Sequence, residues 1–133
     1  MNYVLDKGYL VDASAVAADF KFARLCKFLA SDTTGKTVTS FTAANVDAVG
    51  VVQETLDAAK ILTGKATVDV RLLGIARIEA SAAIAIGARV AATANGRIAT
   101  GASTNPCVGI ALTPASAAGD HVEVLLTPGA NFA

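Results

Sequence analysis

The chain has 133 residues, with 11 basic and 11 acidic side chains and a formal net charge of zero. That balance excludes a protein that gathers positive charge against nucleic acid. Hydrophobic residues make up 53%, charged residues 17% and aromatics 5%, with no Trp, so the chain buries much of its surface with small Ala, Val and Thr side chains in one domain-sized core.

Residues 1 to 13, MNYVLDKGYLVDA, pair apolar residues broken by Asp6, Lys7 and Gly8, and read as an extended N-terminal arm with a short strand near Tyr9 to Val11. The segment lacks a basic start followed by an apolar run, so no secretory leader is expected. Residues 14 to 22 are compatible with a helical turn capped by Ser14 or with a loop. The next strand, Phe22 to Leu29, alternates Phe22, Arg24, Cys26 and Phe28 with Ala23, Leu25, Lys27 and Leu29. Both faces are largely apolar, which places it centrally in a sheet.

Residues 30 to 37, ASDTTGKT, match the phosphate-binding pattern G-x-x-x-x-G-K-[ST] except that Ala30 replaces the first Gly. A phosphate-binding loop must open a helix, so that amides and dipole face the phosphates. TVTSFT follows instead, which is β-branched and poor in helix formers. The motif is therefore read as a hairpin turn with Gly35 supplying positive φ, and no nucleotide cofactor is expected.

From Val49 the chain begins a pattern that it later repeats. VGVVQETLDAAKILTGKATVDVRL (49 to 72) and VGIALTPASAAGDHVEVLL (108 to 126) both open on Val-Gly, cross an Ala-rich connection to Gly64 or Gly119, and end in alternation. Val68, Val70 and Leu72 fall on one face and Asp69 and Arg71 on the other, as in a half-buried strand, and Val122 to Leu126 follow the same plan. In the connection, QETLDAAKILTG (53 to 64) is weakly helical, and a loop with one helical turn is the simpler reading. Residues 65 to 79 read as a strand, a break or bulge at Gly74 and a continuing strand. ASAAIAIG (80 to 87) is helical by composition, but Ile84 and Ile86 stand at strand spacing. ARLCKFLASDTTGKTVT (23 to 39) aligns with ARVAATANGRIAT (88 to 100) across a four-residue gap, setting Leu25 against Val90 and the Gly35 turn against the Asn95-Gly96 turn. The tail TPGANFA is read as irregular.

The sum is an all-β protein: a compact β-barrel or sandwich of short strands, with a 1–13 arm, a single β-rich domain over 14–133, and loose internal repeats over about 20–78 and 79–129.

Catalytic or metal-binding constellations do not assemble from this sequence. His121 is the only imidazole and alternates with Asp120, so the two point to opposite faces. Cys26 and Cys107 are read as reduced, small apolar side chains; Cys107 follows Pro106 in a loop and has no protease signature around it. G-x-S-x-G does not occur. The acid pairs Asp47 with Glu54 and Asp57 with Asp69 lack ligand spacing. No catalytic, cofactor-binding or metal-binding residue is therefore assigned, and the protein is not read as an enzyme. Lys21, Arg24, Lys27 and Lys36, partly offset by Asp19 and Asp32, form a solvated face or a complementary interface patch. The most apolar run, ASAAIAIGA (80 to 88), is too short to cross a bilayer, so no membrane partner is expected.

GARVAATANGRIATGASTNPCVGIALTPASAAGDHVEVLLTPG (87 to 129) resembles the small head decoration proteins of tailed bacteriophages, also called capsid cement or stabilisation proteins. The resemblance is carried by Gly87 before a strand, the Asn95-Gly96 turn, Val108-Gly109-Ile110-Ala111-Leu112, Ala117-Ala118-Gly119 and the closing Val-x-Val-Leu-Leu strand; residues 20 to 78 follow the same plan more loosely. It implies a β-rich virion protein that forms homotrimers on the capsid exterior, over threefold or quasi-threefold points. There it would lock capsomers of the major capsid protein together, with an N-terminal arm adding contacts. It carries over no catalytic residues. Two departures, the acidic residue that many relatives place near Gly87 and the longer 13-to-22 segment, touch the arm and loop contacts. The alternative readings are a phage head-fibre, tail or baseplate β-module, and behind it a small ligand-binding or enzymatic barrel.

Overall fold

The computed structural model of the protein describes residues 4–41, 48–101 and 107–127. Asp47, Pro106 and the tail beyond Thr127, for which expectations were stated above, lie outside them. The described residues form ten strands and one short helix: β1 (Leu5–Val11), β2 (Leu25–Phe28), β3 (Thr37–Ser40), β4 (Gly50–Val52), α1 (Ala58–Leu62), β5 (Thr67–Leu73), β6 (Ile75–Glu79), β7 (Arg89–Ala92), β8 (Ile98–Thr100), β9 (Gly109–Ala111) and β10 (His121–Leu126).

The first five strands form a closed barrel in the order β1-β3-β2-β4-β5, with β5 pairing back to β1. The last five form a sheet in the order β6-β10-β9-β7-β8, whose ends meet in one parallel bridge, Ala80 to Ile98. The two are the same construction. β1 runs parallel to β3 with Val11 opposite Val38, and the Ala80–Ile98 bridge is its counterpart. Cys26 faces Gly50 as Val90 faces Gly109, and Val51 faces Arg71 as Ile110 faces Leu125. Tyr9 faces Val68 as Ile78 faces Val122.

These registers make β1 the counterpart of β6, and so on pairwise to β5 and β10. The inward rungs Tyr9/Ile78, Val11/Ala80, Cys26/Val90, Val38/Ile98, Val52/Ala111, Val68/Val122 and Val70/Val124 are buried in both copies, and fill the two apolar cores. The shared Val-Gly opening also has a steric cause. A Cβ on Gly50 would lie 2.3 Å from the Arg71 carbonyl oxygen, and one on Gly109 2.2 Å from that of Leu125. Only glycine allows the neighbouring strand this close.

The registers correct three expectations. The repeats run from β1 to β5 and from β6 to β10, so the break at Gly74 is the crossing from one copy to the next. Leu5–Val11 is a full barrel strand with Tyr9 and Val11 buried, because its alternate apolar side chains fill the core beneath β5. The described part of the 1–13 segment is therefore no detached arm. The alignment of Ala23-Arg24-Leu25 with Ala88-Arg89-Val90 is one residue out: Val90 corresponds to Cys26, and a one-residue slip in a strand exchanges faces. Residues 14–22 form turns; the Asp12 carboxylate accepts from the backbone N–H and hydroxyl of Ser14. Residues 80–87 are irregular, with Ile84 buried in a bridge to Ala115 and Ile86 exposed.

Candidate interaction surfaces

The Gly-Lys-Thr loop shows what its amides do. The carboxylate of Asp32 accepts from the backbone N–H groups of Thr34 (2.9 Å), Lys36 (2.9 Å) and Thr37 (2.8 Å) and from the Thr34 hydroxyl (2.6 Å). Those bonds hold the Asp32 carboxyl well below the usual carboxylate range. The donors that a phosphate-binding loop would aim at a nucleotide are thus occupied by the chain's own anion, and the residues that follow are β3, not a helix.

The other candidate groups stay apart. His121 is exposed at the start of β10, its ring 6.2 Å from that of Phe22. The Asp120 carboxylate turns away from it, to the amides of Ser116 and Ala117 and the Ser116 hydroxyl, which lower its pKa. Cys26 and Cys107 are free, buried thiols. Burial in the first core pushes Cys26 up to about 12, which leaves it no thiolate character at neutral pH. Glu54, Asp57 and Asp69 are exposed. Among the described residues, no cluster of three or more His, Cys, Asp or Glu is placed to hold a metal ion.

The basic residues do not share one environment. Arg24 is buried and holds the two copies together. Its guanidinium donates to Asp19 (3.3 Å) and to the Asn95 carbonyl (3.0 Å), and pairs with Glu79 at 2.8 Å. Arg97 reaches the same Glu79 carboxylate at 3.6 Å. Around this ion pair the end of the second sheet sits on the outer wall of the first barrel. Leu25 donates its backbone N–H to the Gly96 carbonyl (2.7 Å), and Glu79 donates to the Ala23 carbonyl (2.9 Å). Leu25, Val51 and Phe41, which face out of the first barrel, are thereby buried in the core of the second copy. The Ala-Arg pattern alone does not reveal this role; the signal is an Arg one residue outside an apolar strand, with a Glu ending another.

Some of the exposed side chains form apolar groups. Ile75 and Leu125 are directly paired on the outside of the second sheet at 38% and 40% exposure, and the half-buried Ile110 extends the row on the other side of Leu125. At the far end of the first barrel, Lys7, Tyr9, Leu10, Gly35, Lys36 and Thr67 line an open depression of about 570 Å³. Phe28, 45% exposed, packs edge-on against the Tyr9 ring. Both surfaces carry charge beside these apolar groups: Lys7 and Lys36 line the depression, and Arg77, Glu123 and Arg89 flank the row on the second sheet.

Residues 31–126 match the family model described as phage cement protein, a span that takes in strands of both copies. Among solved structures, the chain is similar to the head fiber gp8.5 N base of bacteriophage phi29, with a TM-score of 0.66 at 16% sequence identity, covering 94% of this chain and 95% of that one. At that identity the likeness concerns the fold. No curated protein sequence matches the chain.

Proposed function

Because this chain belongs to the phage cement protein family, we propose that it is a structural virion protein that binds the outside of a phage capsid as a homotrimer and ties neighbouring capsomers of the major capsid protein together. The observation that carries the reading is the family match over 31–126. The physical properties agree with it. A closed barrel and a five-stranded sheet of the same plan present exposed apolar side chains, and among the described residues Asp32, Asp120, Arg24 and Glu79 are engaged in loop structure or at the junction. A trimer would engage the shell through three modest contacts acting at high effective concentration, so no single contact has to be strong.

The test uses phage particles that lack this protein. Added back, the purified chain should co-sediment with them saturably and raise the temperature at which they release DNA. Neither binding nor a shift in release temperature would sink the reading. The likeness to a head fiber base favours a second reading, in which the chain roots a projecting fibre on the head. Electron microscopy of the decorated particles separates the two: low density across capsomer boundaries supports cement, and density continuing outward into a fibre supports the base.

A further inference from the structure

The barrel end lined by Lys7, Tyr9, Leu10 and Lys36 has a counterpart in the second copy, and there it is filled. The ladder registers set Ile78 in the place of Tyr9, Glu79 in that of Leu10, Gly96 in that of Lys36 and His121 in that of Thr67. Against those residues lies a short segment of the chain itself, Phe22 to Leu25. The Phe22 ring is 6.2 Å from that of His121, Glu79 donates its backbone N–H to the Ala23 carbonyl, and Leu25 donates to the Gly96 carbonyl. Arg24 in that segment pairs with the Glu79 carboxylate. This place in the fold thus takes a segment that carries an aromatic side chain and a charge opposite to its own.

In the first copy the same place is open, and its charge is reversed. Lys36 stands where Gly96 does and Lys7 where Ala76 does. The Lys7 ammonium lies 5.3 Å over the centre of the Tyr9 ring, and Phe28 packs against that ring from the side. The ion pairs among the described residues are made by Arg24, Arg71 and Arg97, and neither lysine takes part in one. Nearby acids do not neutralise them. Asp32 is held by the amides of its own loop, Asp6 by Arg71, and Asp69 faces Gly8 across the ladder without pairing with either lysine. The backbone below is already joined, since Leu10 donates to the Lys36 carbonyl at 2.9 Å. Lys36 also has a Cβ where Gly96 has none. A visiting chain therefore cannot add to the ladder here and has to bind through its side chains.

We infer that this barrel end grips an acidic segment of the major capsid protein: a large apolar side chain of the shell lies against Leu10 and the Tyr9–Phe28 pair, and carboxylates beside it meet Lys7 and Lys36. The inference rests on the capsid binding put forward above and names its surface and the chemistry of the partner. The depression, about 570 Å³, has the size of concave sites that take ligands. Two cations without carboxylates of their own, set on an apolar floor, complement a segment in which Asp or Glu flanks an apolar residue. Nucleic acid fits less well, because the Tyr9 ring is buried and covered by Lys7, which leaves no open face for a base to stack on.

The experiment decorates phage particles that lack this protein with the full chain. A zero-length carbodiimide then joins amines to the carboxylates they touch, and peptide mass spectrometry reads the links. Links from Lys7 or Lys36 to Asp or Glu of the major capsid protein are expected. Lys7→Glu and Lys36→Glu should melt like the parent, and together they should weaken co-sedimentation with the particles by at least about tenfold, whereas Lys60→Glu, the same change of charge on the exposed side of α1, should bind like the parent. Should a reversal lower the melting temperature, Lys7→Gln and Lys36→Gln replace it, with a smaller loss of binding expected. A parent that binds while the lysine variants bind equally well, or whose two lysines link to no capsid carboxylate, overturns this surface and leaves capsid binding standing. A parent that does not bind overturns both. Retention of a fluorescent single-stranded oligonucleotide by the parent, lost in the double reversal, assigns the site to nucleic acid and overturns the inference.

Discussion

Cys26 in the first copy and Val90 in the second stand on the same rung, as do Val38 and Ile98, and Val68 and Val122, yet the outer walls of the two copies are opposite in character. The row Leu25–Val51–Arg71–Asp6 of the first is half covered by its sister and half closed by an ion pair, with Arg71 Nε 2.9 Å from Asp6. The row Arg89–Ile110–Leu125–Ile75 of the second leaves its apolar members open. A barrel of this kind tolerates almost any outward residue so long as the inward rungs stay apolar and two glycines let strands approach. After duplication, each outer wall was therefore free to take on its own neighbour.

If the two copies are the same construction, matched changes should do matched damage. The largest effect is expected from Gly50→Val and Gly109→Val, since each side chain would start inside a neighbouring carbonyl. Each should lower stability by more than about 3 kcal/mol, with similar drops in urea midpoint; tolerance at one site alone would break the equivalence. Deleting residues 1 to 11 should likewise unfold the first barrel, because it removes β1 from between β3 and β5; a retained native melting transition would show that the barrel closes without it.

The junction comes next. Glu79→Ala leaves Arg24 buried without its best partner and should cost about 3 kcal/mol, while the double change Arg24→Met with Glu79→Leu should cost less, as judged by the melting of both variants.

A subtler pair tests the turn before the central strand. Ala23 at φ 70° and Gly87 at φ 81° are equivalent, each donating its N–H to the carbonyl at the end of the Val-Gly strand, Val52 or Ala111. Gly87→Ala should lower stability by about 1 kcal/mol, from conformation alone, because the new methyl meets no atom. Ala23→Gly should change it little, since relief of that strain is offset by about 0.8 kcal/mol for the lost buried methyl.

The smallest effect belongs to pH. Asp32 has a lowered pKa in the fold, so the unfolded chain binds more protons in the window below the ordinary carboxylate value. Its contribution is complete above that value and fades as pH falls towards the folded pKa. Asp32→Asn should therefore show a shallower loss of urea midpoint between neutral and acidic pH than the parent does; equal slopes would remove the loop from the account.

The all-β class, the duplicated Val-Gly strands and the alternating β5 and β10 were legible because glycine punctuation and period-two burial leave marks in a sequence. The same physics hid β1: only Tyr9 and Val11 of its seven residues are buried, and Asp6, Lys7 and Gly8 face a barrel end or solvent, so its pattern is too short to stand out. The register error at Ala23 arose because equivalent strands keep burial, not identity, and both happen to be preceded by Ala and Arg. Arg24 illustrates the limit on the site. Its partners Asp19, Glu79 and Asn95 are 5, 55 and 71 positions away, and the distant ones are brought together only by the docking of one copy on the other. The Gly-Lys-Thr loop could be read as a turn from the residues after it, but that Asp32 fills its amides is visible only in three dimensions.

Because each β unit is drawn from consecutive residues, with Leu5 meeting Leu73 and Ile75 meeting Leu125, the first can close while the ribosome is still making the second. For that interval Leu25, Phe41 and Val51 lie bare to water, and a neighbouring chain whose second unit is already complete offers them the docking end that their own chain still lacks. Crowding on one messenger thus sets a hazard of exchanged halves, and a pause in translation beyond Gly74 would lengthen it.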